Sequence, residues 1–437
     1  MLDENQSKEN EQVWPIIIAG GGIAGILCAL RLALENPSLK ILLLEKGPRL
    51  GGRLASEQKH HHDIPVGLSA ISARLVDFIS NTLSLAPEAK ELSKSLAHKE
   101  ARIGLVFGEQ VKEIAKSRYF DSDTARIFNR AIKNCDWQNL QDNVFAEALP
   151  EKDSTILKQL KLAQKDPATA VINQLNQLIG IASFEEQSFA SFSERHKYFK
   201  DLAYLGPFDD LWQSLCELLK EQVSIKLDCQ ILAANWQENQ WLIETEQGLF
   251  ASKILAVAQS PWQATQWLAA SLLPPAVLSQ TFKTTPASTI TLFETFKEKR
   301  QALPDLLLIP SEGCYGCSLN KESISYQCTI DFEISMDAAS VVKAIKKLKR
   351  ARNKVQKIYA YETESEAISL CPVAWSHGTS VLERKGFSQY AVDAIQAEHL
   401  VFCGDSYGLS ANPEENLMQS LIAVWSKLNL AHHKEAP

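Results

Sequence analysis

The chain has 437 residues, of which 45% are hydrophobic and 22% charged, and a formal net charge of −7. That length allows a large core and one or two closely joined domains. The acidic balance argues against a nucleic-acid binder, and no apolar run approaches the ~18 residues of a membrane span.

The first dozen residues, MLDENQSKENEQ, are polar and are expected to form neither a signal peptide nor ordered structure. The informative stretch follows. An apolar run, Ile16-Ile17-Ile18, leads into Gly20-Gly21-Gly22-Ile23-Ala24-Gly25, then an apolar helical pattern, then Ile41 to Leu44 closed by Glu45. Strand, glycine turn, helix, strand and acid in that order make a dinucleotide-binding βαβ unit. Gly20 permits the tight turn, Gly22 lets backbone approach a pyrophosphate, and Gly25 lets helix and strand pack closely. The N–H groups of Ile23 and Ala24 open the helix, where free donors and the positive dipole end suit phosphate. Glu45 lies 20 residues after Gly25, where a carboxylate can accept from a ribose.

The next residues select the dinucleotide. Lys46-Gly47-Pro48-Arg49-Leu50-Gly51-Gly52-Arg53 places open amides at Gly51 and Gly52 and forked donors at Arg49 and Arg53. A domain for a nicotinamide cofactor alone has no need of this second element. Here the chain resembles the flavin-containing amine oxidase superfamily, which carries an acid, a spaced arginine and Gly-Gly-Arg. The resemblance implies FAD, held through Gly20, Gly22, Ile23, Ala24, Gly25, Glu45, Lys46, Arg49, Gly51, Gly52, Arg53 and Leu54.

Gly52-Arg53-Leu54-Ala55-Ser56 and the segment Asp63 to Arg74 look like the renalase-like branch, where the second segment lines the flavin. Gly67 and Leu68 would touch the cofactor there, with Leu68 standing where alanine is usual. Between the two lies His60-His61-His62-Asp63. Adjacent histidines in an extended segment diverge, so no metal site is expected. The position of His62 makes it the candidate catalytic group, the alternative being a solvated histidine loop.

Residues 86–200 are rich in Lys, Glu, Gln and Ala at helical spacing, and the reading is a helical insertion over 81–200. Tyr204 to Phe208 then leads into a helix from Asp209 to Glu221. Strand signals follow at Val223–Leu227, Gln230–Trp236, Trp241–Thr245 and Lys253–Ala258. The resemblance puts backbone near Ile231 against adenine. Alternating runs at Ser288–Phe296, Asp305–Ile309, Ser323–Phe332 and Ala367–Trp375 predict an antiparallel sheet. Among them runs a basic helix, Val341 to Ile358, either a solvated face or a docking surface for an acidic partner. Cys314-Tyr315-Gly316-Cys317 is a single C-x-x-C, too little for structural zinc. Cys314 lies too far upstream to match the covalent-flavin cysteine of monoamine oxidases, so the flavin is expected to be non-covalent.

His399 to Asp405 reads as a last strand ending in Gly404-Asp405. The resemblance places Asp405 at the ribityl–phosphate region, and the following helix N-terminus against the flavin's O2/N1 edge. Asn416 and Leu421 stand where glycines are usual, and Asn416 and Leu417 would meet the flavin. A helix dipole there would favour a reduced, anionic flavin.

The expected fold is α/β: a Rossmann-like FAD domain of the glutathione-reductase type, an antiparallel-sheet substrate domain and a helical insertion. The FAD domain would combine 12–80, 200–265 and 395–430, with the substrate domain at 265–395. The resemblance implies an FAD-dependent oxidoreductase, with hydride transfer from a substrate C–H to flavin and reoxidation by O2. Two alternatives stand beside it. One is a flavoprotein that modifies a side chain of a partner protein docked near 81–200 and 343–357, for example in maturing a tryptophan-derived quinone. The other is a non-catalytic flavin-binding scaffold. Nine scattered cysteines without an export signal point to the cytoplasm.

Overall fold

The computed structural model describes residues 13–59, 62–65, 70–85, 102–114, 202–205, 209–274, 287–298, 303–319, 321–375, 396–397, 399–407 and 413–435. β1 (Val13–Ala19) runs through the glycine turn into α1 (Ile23–Glu35), and β2 (Ile41–Leu44) returns parallel to β1. The isoleucines of β1 are buried on both faces, as the continuous apolar run of a covered parallel strand requires. Ile16 and Ile18 pack with α1, while Ile17 and Ala19 belong to the opposite layer.

A helical turn at Gly52–Leu54 leads to a hairpin, β3 (Ser56–Lys59) and β4 (His62–Pro65). β5 (Ala70–Ser72) precedes α2 (Ala73–Leu83), whose N-cap Ser72 accepts a hydrogen bond from Leu75 N at 3.2 Å. The sequence reading left residues 81–200 as a helical insertion. Instead β6 (Ile103–Phe107) and β7 (Gln110–Ile114) form a hairpin within it. These five-residue strands are too short to show a period amid charged neighbours, and the turn depends on Gly108 at φ 59°. Residues 115–200 lie outside the described residues.

β8 (Leu202–Leu205) pairs with β5, and the chain re-enters the first domain through α3 (Asp209–Gln222) and β9 (Ser224–Lys226). β10 (Ile231–Gln237), β11 (Gln240–Thr245) and β12 (Gly248–Val257) follow. The second domain carries β13 (Ala287–Phe296), β14 (Leu306–Ile309), β15 (Cys314–Ser318), β16 (Ser323–Asp331), α4 (Ala338–Tyr359) and β17 (Thr363–Trp375). β18 (Leu400–Phe402) and α5 (Pro413–Glu435) return to the first.

The first sheet has the order β10-β11-β12-β1-β2-β9, with β18 beside the end of β12. The run β9-β2-β1-β12-β18 is parallel throughout. The second sheet runs β17-β13-β16-β15-β14-β6-β7, so the β6–β7 hairpin extends it beyond the 265–395 segment. β15 was hidden in the C-x-x-C. A strand puts residues three apart on opposite faces, so Cys314 and Cys317 diverge.

α4 lays Ala344, Leu348, Ala351 and Val355 on one face of this sheet, against Ile290, Leu292 and Tyr326. The other face meets the first domain: Phe293 and Ala367 pack on Ile64 of β4, and Ser369 donates to the Glu57 carboxylate. Under α4, Glu294 is fully buried. It accepts from the Tyr361 hydroxyl and from Thr363 Oγ1 at 2.7 Å, and Tyr361 OH lies 2.6 Å from Tyr326 OH.

Burial pushes the Glu294 carboxyl up, against the pull of Tyr361, Thr363 and Arg352. Because the folded value lies above the unfolded one, the group's stabilisation is complete below the unfolded carboxyl pKa. It is lost as pH rises through the folded value. Chemical denaturation at pH 5 and pH 8 should therefore show Glu294→Gln gaining on the wild type at the higher pH. Tyr361→Phe, which takes a donor from a buried carboxylate, should lose about 1–3 kcal/mol.

Candidate functional site

At the C-terminal edge of the parallel run, the four strand ends stand side by side. β2 ends at Leu44 before Glu45, β1 at Ala19 before Gly20, β12 at Val257 before Ala258, and β18 at Phe402 before Gly404-Asp405. Open α/β sheets bind ligands at this edge.

The glycines of the first turn have different constraints. Gly20 sits at φ 112°, and a Cβ there would press on the Ala258 carbonyl at 2.9 Å. At Gly25 a Cβ would fall 1.9 Å from Gly20 O, so α1 can approach the turn only with glycine. Gly22 is different: a Cβ there meets nothing within 4 Å. Open space therefore lies in front of the α1 N-terminus, and no side chain caps that helix. The uncapped N–H groups and the positive end of the dipole face a cradle fit for an anion.

A second turn closes on the first. Gly51 N donates to Gly21 O at 2.8 Å, and a Cβ on Gly52 would lie 3.2 Å from Gly22 Cα. Gly51 has no room for a side chain, since a Cβ there would fall 2.3 Å from Ala55 Cβ, and Gly52 sits at φ 52°. The Glu45 carboxylate spans the junction, accepting from Gly21 N at 2.7 Å and from Gly47 N at 2.8 Å. Cys229 N donates to Glu45 O at 2.9 Å, which brings the start of β10 and Ile231 to this end of the cleft.

Arg53 reaches from the second turn to the last strand. Its NH1 donates to Asp405 Oδ2 at 2.6 Å, and the arginine side chain keeps 34% of its surface exposed. Burial works against the Arg53 charge, but the Asp405 carboxylate outweighs it and holds the guanidinium above its ordinary pKa. Gly404 adopts φ 145°, and its N–H donates to buried Ser420 Oγ at 2.9 Å. Buried Asn416 donates through Nδ2 to Asp405 O at 2.9 Å.

Comparison with known proteins agrees with this geometry. A family model described as NAD(P)-binding Rossmann-like domain matches residues 18–79. Polyamine oxidase 5 of Oryza sativa subsp. japonica is 31% identical over 112 residues. The match spans 26% of this chain and only 21% of that relative. Cyclohexylamine oxidase from Brevibacterium oxydans superposes with a TM-score of 0.67 at 15% identity, covering 96% of this chain and 100% of the other. A putrescine oxidase variant with redesigned cofactor binding gives 0.65 at 14%, covering 96% and 98%. The chain therefore shares the fold of these solved amine oxidases.

Within this amine-oxidase fold, most expected residues converge. Gly20, Gly22, Glu45, Gly51, Gly52, Arg53, Gly404 and Asp405 gather at the ends of the parallel strands, and Gly25 packs against Gly20 beneath them. Ile23 is half-buried beside the first turn, and Lys46 and Arg49 are exposed at the rim. Ala24, Leu54 and Leu417 put their side chains in the core shared with α1, which leaves only their backbone for a ligand. Asn416 turns its amide onto Asp405 rather than leaving the space a glycine would. His62 begins β4, but its side chain lies outside the described residues, as do Gly67 and Leu68.

The basic helix is largely spoken for. Lys349 and Arg352 pair with Glu366, Arg350 and Lys354 with Glu312, and Lys357 with Glu109. These pairs fasten α4 to its own sheet. The sequence reading missed Ser420 and Glu414. Ser420 holds the Gly404 turn and Glu414 holds Ser72, the N-cap of α2, through contacts distant in sequence, which leave no local pattern.

Gly22 separates ligand binding from folding. Gly22→Ala should melt within ~2 °C of the wild type yet bind FAD at least tenfold more weakly, because its Cβ enters empty cradle. Gly25→Ala should instead destabilise the fold, because its Cβ meets backbone. Thermal denaturation and FAD fluorescence titration read both.

Proposed function

We propose that this protein is an FAD-dependent oxidoreductase of the amine-oxidase type that acts on a small molecule. One observation carries the reading: two glycine turns meet at the C-terminal edge of parallel strands, and Arg53 ties them to Asp405. The likeness to polyamine oxidase 5 and to two solved amine oxidases supports it.

The N–H groups at the start of α1 and the Gly52 turn would hold the pyrophosphate, with Arg53 as the cationic partner. Glu45 would take the adenosine ribose, using carboxylate lone pairs left after its bonds to Gly21 and Gly47. Asp405 would face the ribityl side. When bound, FAD supplies two-electron oxidation of a substrate C–H bond, with O2 as the proposed acceptor. The chain orients the cofactor and fixes the charges around it. The second sheet, resting on β4 and Glu57, would close the cleft from the other side.

The place of the cysteine of the Gly-Cys-Tyr run supports non-covalent attachment. Cys314 is fully buried on the α4 face of the second sheet, turned from the β3–β4 hairpin. The Gly52 to Ser56 run keeps the renalase-like branch as the finer assignment. The free-substrate reading is preferred to a docked protein because the basic residues of α4 from Lys349 onward are paired within the chain. No described helix is long and apolar enough to cross a membrane, and no described cysteine is in a disulfide.

The purified protein should be yellow, and acid precipitation should release FAD into the supernatant. Flavin left in the pellet would contradict non-covalent binding, and release of NAD would contradict the cofactor. Anaerobic mixing with a panel of primary and secondary amines should bleach the flavin with at least one of them. Bleaching only by a protein fraction would favour the partner-protein alternative.

A further inference from the structure

The face of the second sheet turned from α4 meets the first domain in steps. Phe293 and Ala367, directly opposite on β13 and β17, pack on Ile64. Thr291 stands opposite Ser369, which donates to the Glu57 carboxylate. Thr289 stands opposite Cys371, which lies near enough to Arg53 to act on its charge. Successive pairs thus run from the hairpin toward the Arg53–Asp405 tie, and Thr289 marks the end nearest the cleft. On the other side of β13, Ser325, Gln327 and Thr329 of β16 stand opposite Phe293, Thr291 and Thr289 and share their face.

This stretch of the face is polar, closed to solvent and without charge. Thr289, Thr291, Ser325, Gln327 and Thr329 are each 3% exposed or less. Neither Thr289 Oγ1 nor Ser325 Oγ has a hydrogen-bond partner among the described residues. Under α4, by contrast, the hydroxyls of Tyr326, Tyr361 and Thr363 are engaged with one another or with Glu294. A buried hydroxyl without a partner costs stability, and native structures keep few of them. Here two stand on one face. Thr289 lies opposite Thr329, four residues from Ser325, so the two hydroxyls are about 13 Å apart along the strands.

We propose that Thr289, with Ser325 further along the same face, selects the substrate: an amine that carries an uncharged hydrogen-bonding group, a hydroxyl or an amide, in preference to a diamine. Such a group gives the two hydroxyls the bonds they lack, and its own lost hydration is replaced. A second ammonium would shed its water against side chains that carry no opposite charge, a cost that neutral hydroxyls do not repay. A plain alkyl chain would leave the hydroxyls unpaired.

This inference rests on the FAD-dependent amine-oxidase reading, and FAD content is therefore measured first. The probes are hexylamine, aminohexanol, aminohexanamide and diaminohexane, each mixed anaerobically with the intact, FAD-loaded protein. Aminohexanol or aminohexanamide should reduce the flavin with a second-order rate constant at least about tenfold above those of hexylamine and diaminohexane. Thr289→Val, which keeps the shape and removes the hydroxyl, should lose most of that preference, and adding Ser325→Ala should remove what is left. Thr289→Ser, which keeps the hydroxyl, should retain it. Because an unpaired buried hydroxyl is being removed, Thr289→Val should melt no lower than the wild type. A lower melting temperature with the preference unchanged would make the hydroxyl structural and overturn the proposal. Hexylamine or diaminohexane reacting as fast as both polar probes in the wild type, or no response to either polar probe, would also overturn it, whether or not the variants fold. Absence of FAD from the wild type would instead overturn the reading beneath it.

Discussion

Everything at the cleft depends on two stretches of backbone approaching more closely than side chains allow. Gly51 hydrogen-bonds Gly21, Gly52 lies against Gly22, and Gly25 lets α1 press on Gly20. A residue with a Cβ at Gly25 would push the helix away and carry its N-terminal amides out of line with the strand ends. With these contacts made, one carboxylate, Glu45, can bridge both turns, and one guanidinium, Arg53, can reach the last strand. The cradle is thus assembled from segments more than 350 residues apart, Arg53 and Asp405 being 352 residues apart in sequence.

The two domains divide the work in a way that follows from their sheets. The parallel run presents four strand ends and two helix N-termini along one edge, so its contribution is polar and directional. The antiparallel sheet presents a face. One side of it is sealed by α4 and a line of ion pairs. The other rests on the hairpin that follows the second glycine turn. Glu57 and Ile64 join that face to the cofactor side, so the glycine turns and the second sheet are positioned by the same short segment.

Much of the first domain was legible in the sequence because its signals are local. The apolar run of β1, the glycine spacing and Glu45 all fall within about thirty residues, and each corresponds to a steric need now visible. The runs that became β13, β14, β16 and β17 were legible by alternation. The hairpin β6–β7 was not, because short strands among charged residues carry little period. β15 was obscured because its cysteines suggested chemistry, while their spacing only puts them on opposite faces of a strand. The clamp on the Gly404–Asp405 turn was invisible for a different reason: Asn416 and Ser420 act through contacts that no spacing rule encodes, as does Glu414 on Ser72. Asn416 looked like a defect where glycine is usual, yet it holds the carbonyl of the residue that pairs with Arg53.

The central claim is that this edge of the sheet is an FAD cradle in which Arg53 stays tied to Asp405. A crystal structure of the protein with FAD bound tests it most directly. The account predicts pyrophosphate oxygens about 2.7–3.2 Å from N–H groups at the start of α1 and at Gly52. It also predicts the adenosine ribose on Glu45 and the flavin half beside Asp405 and the first turn of α5. FAD bound elsewhere, or lying in the opposite direction along the edge, would contradict it.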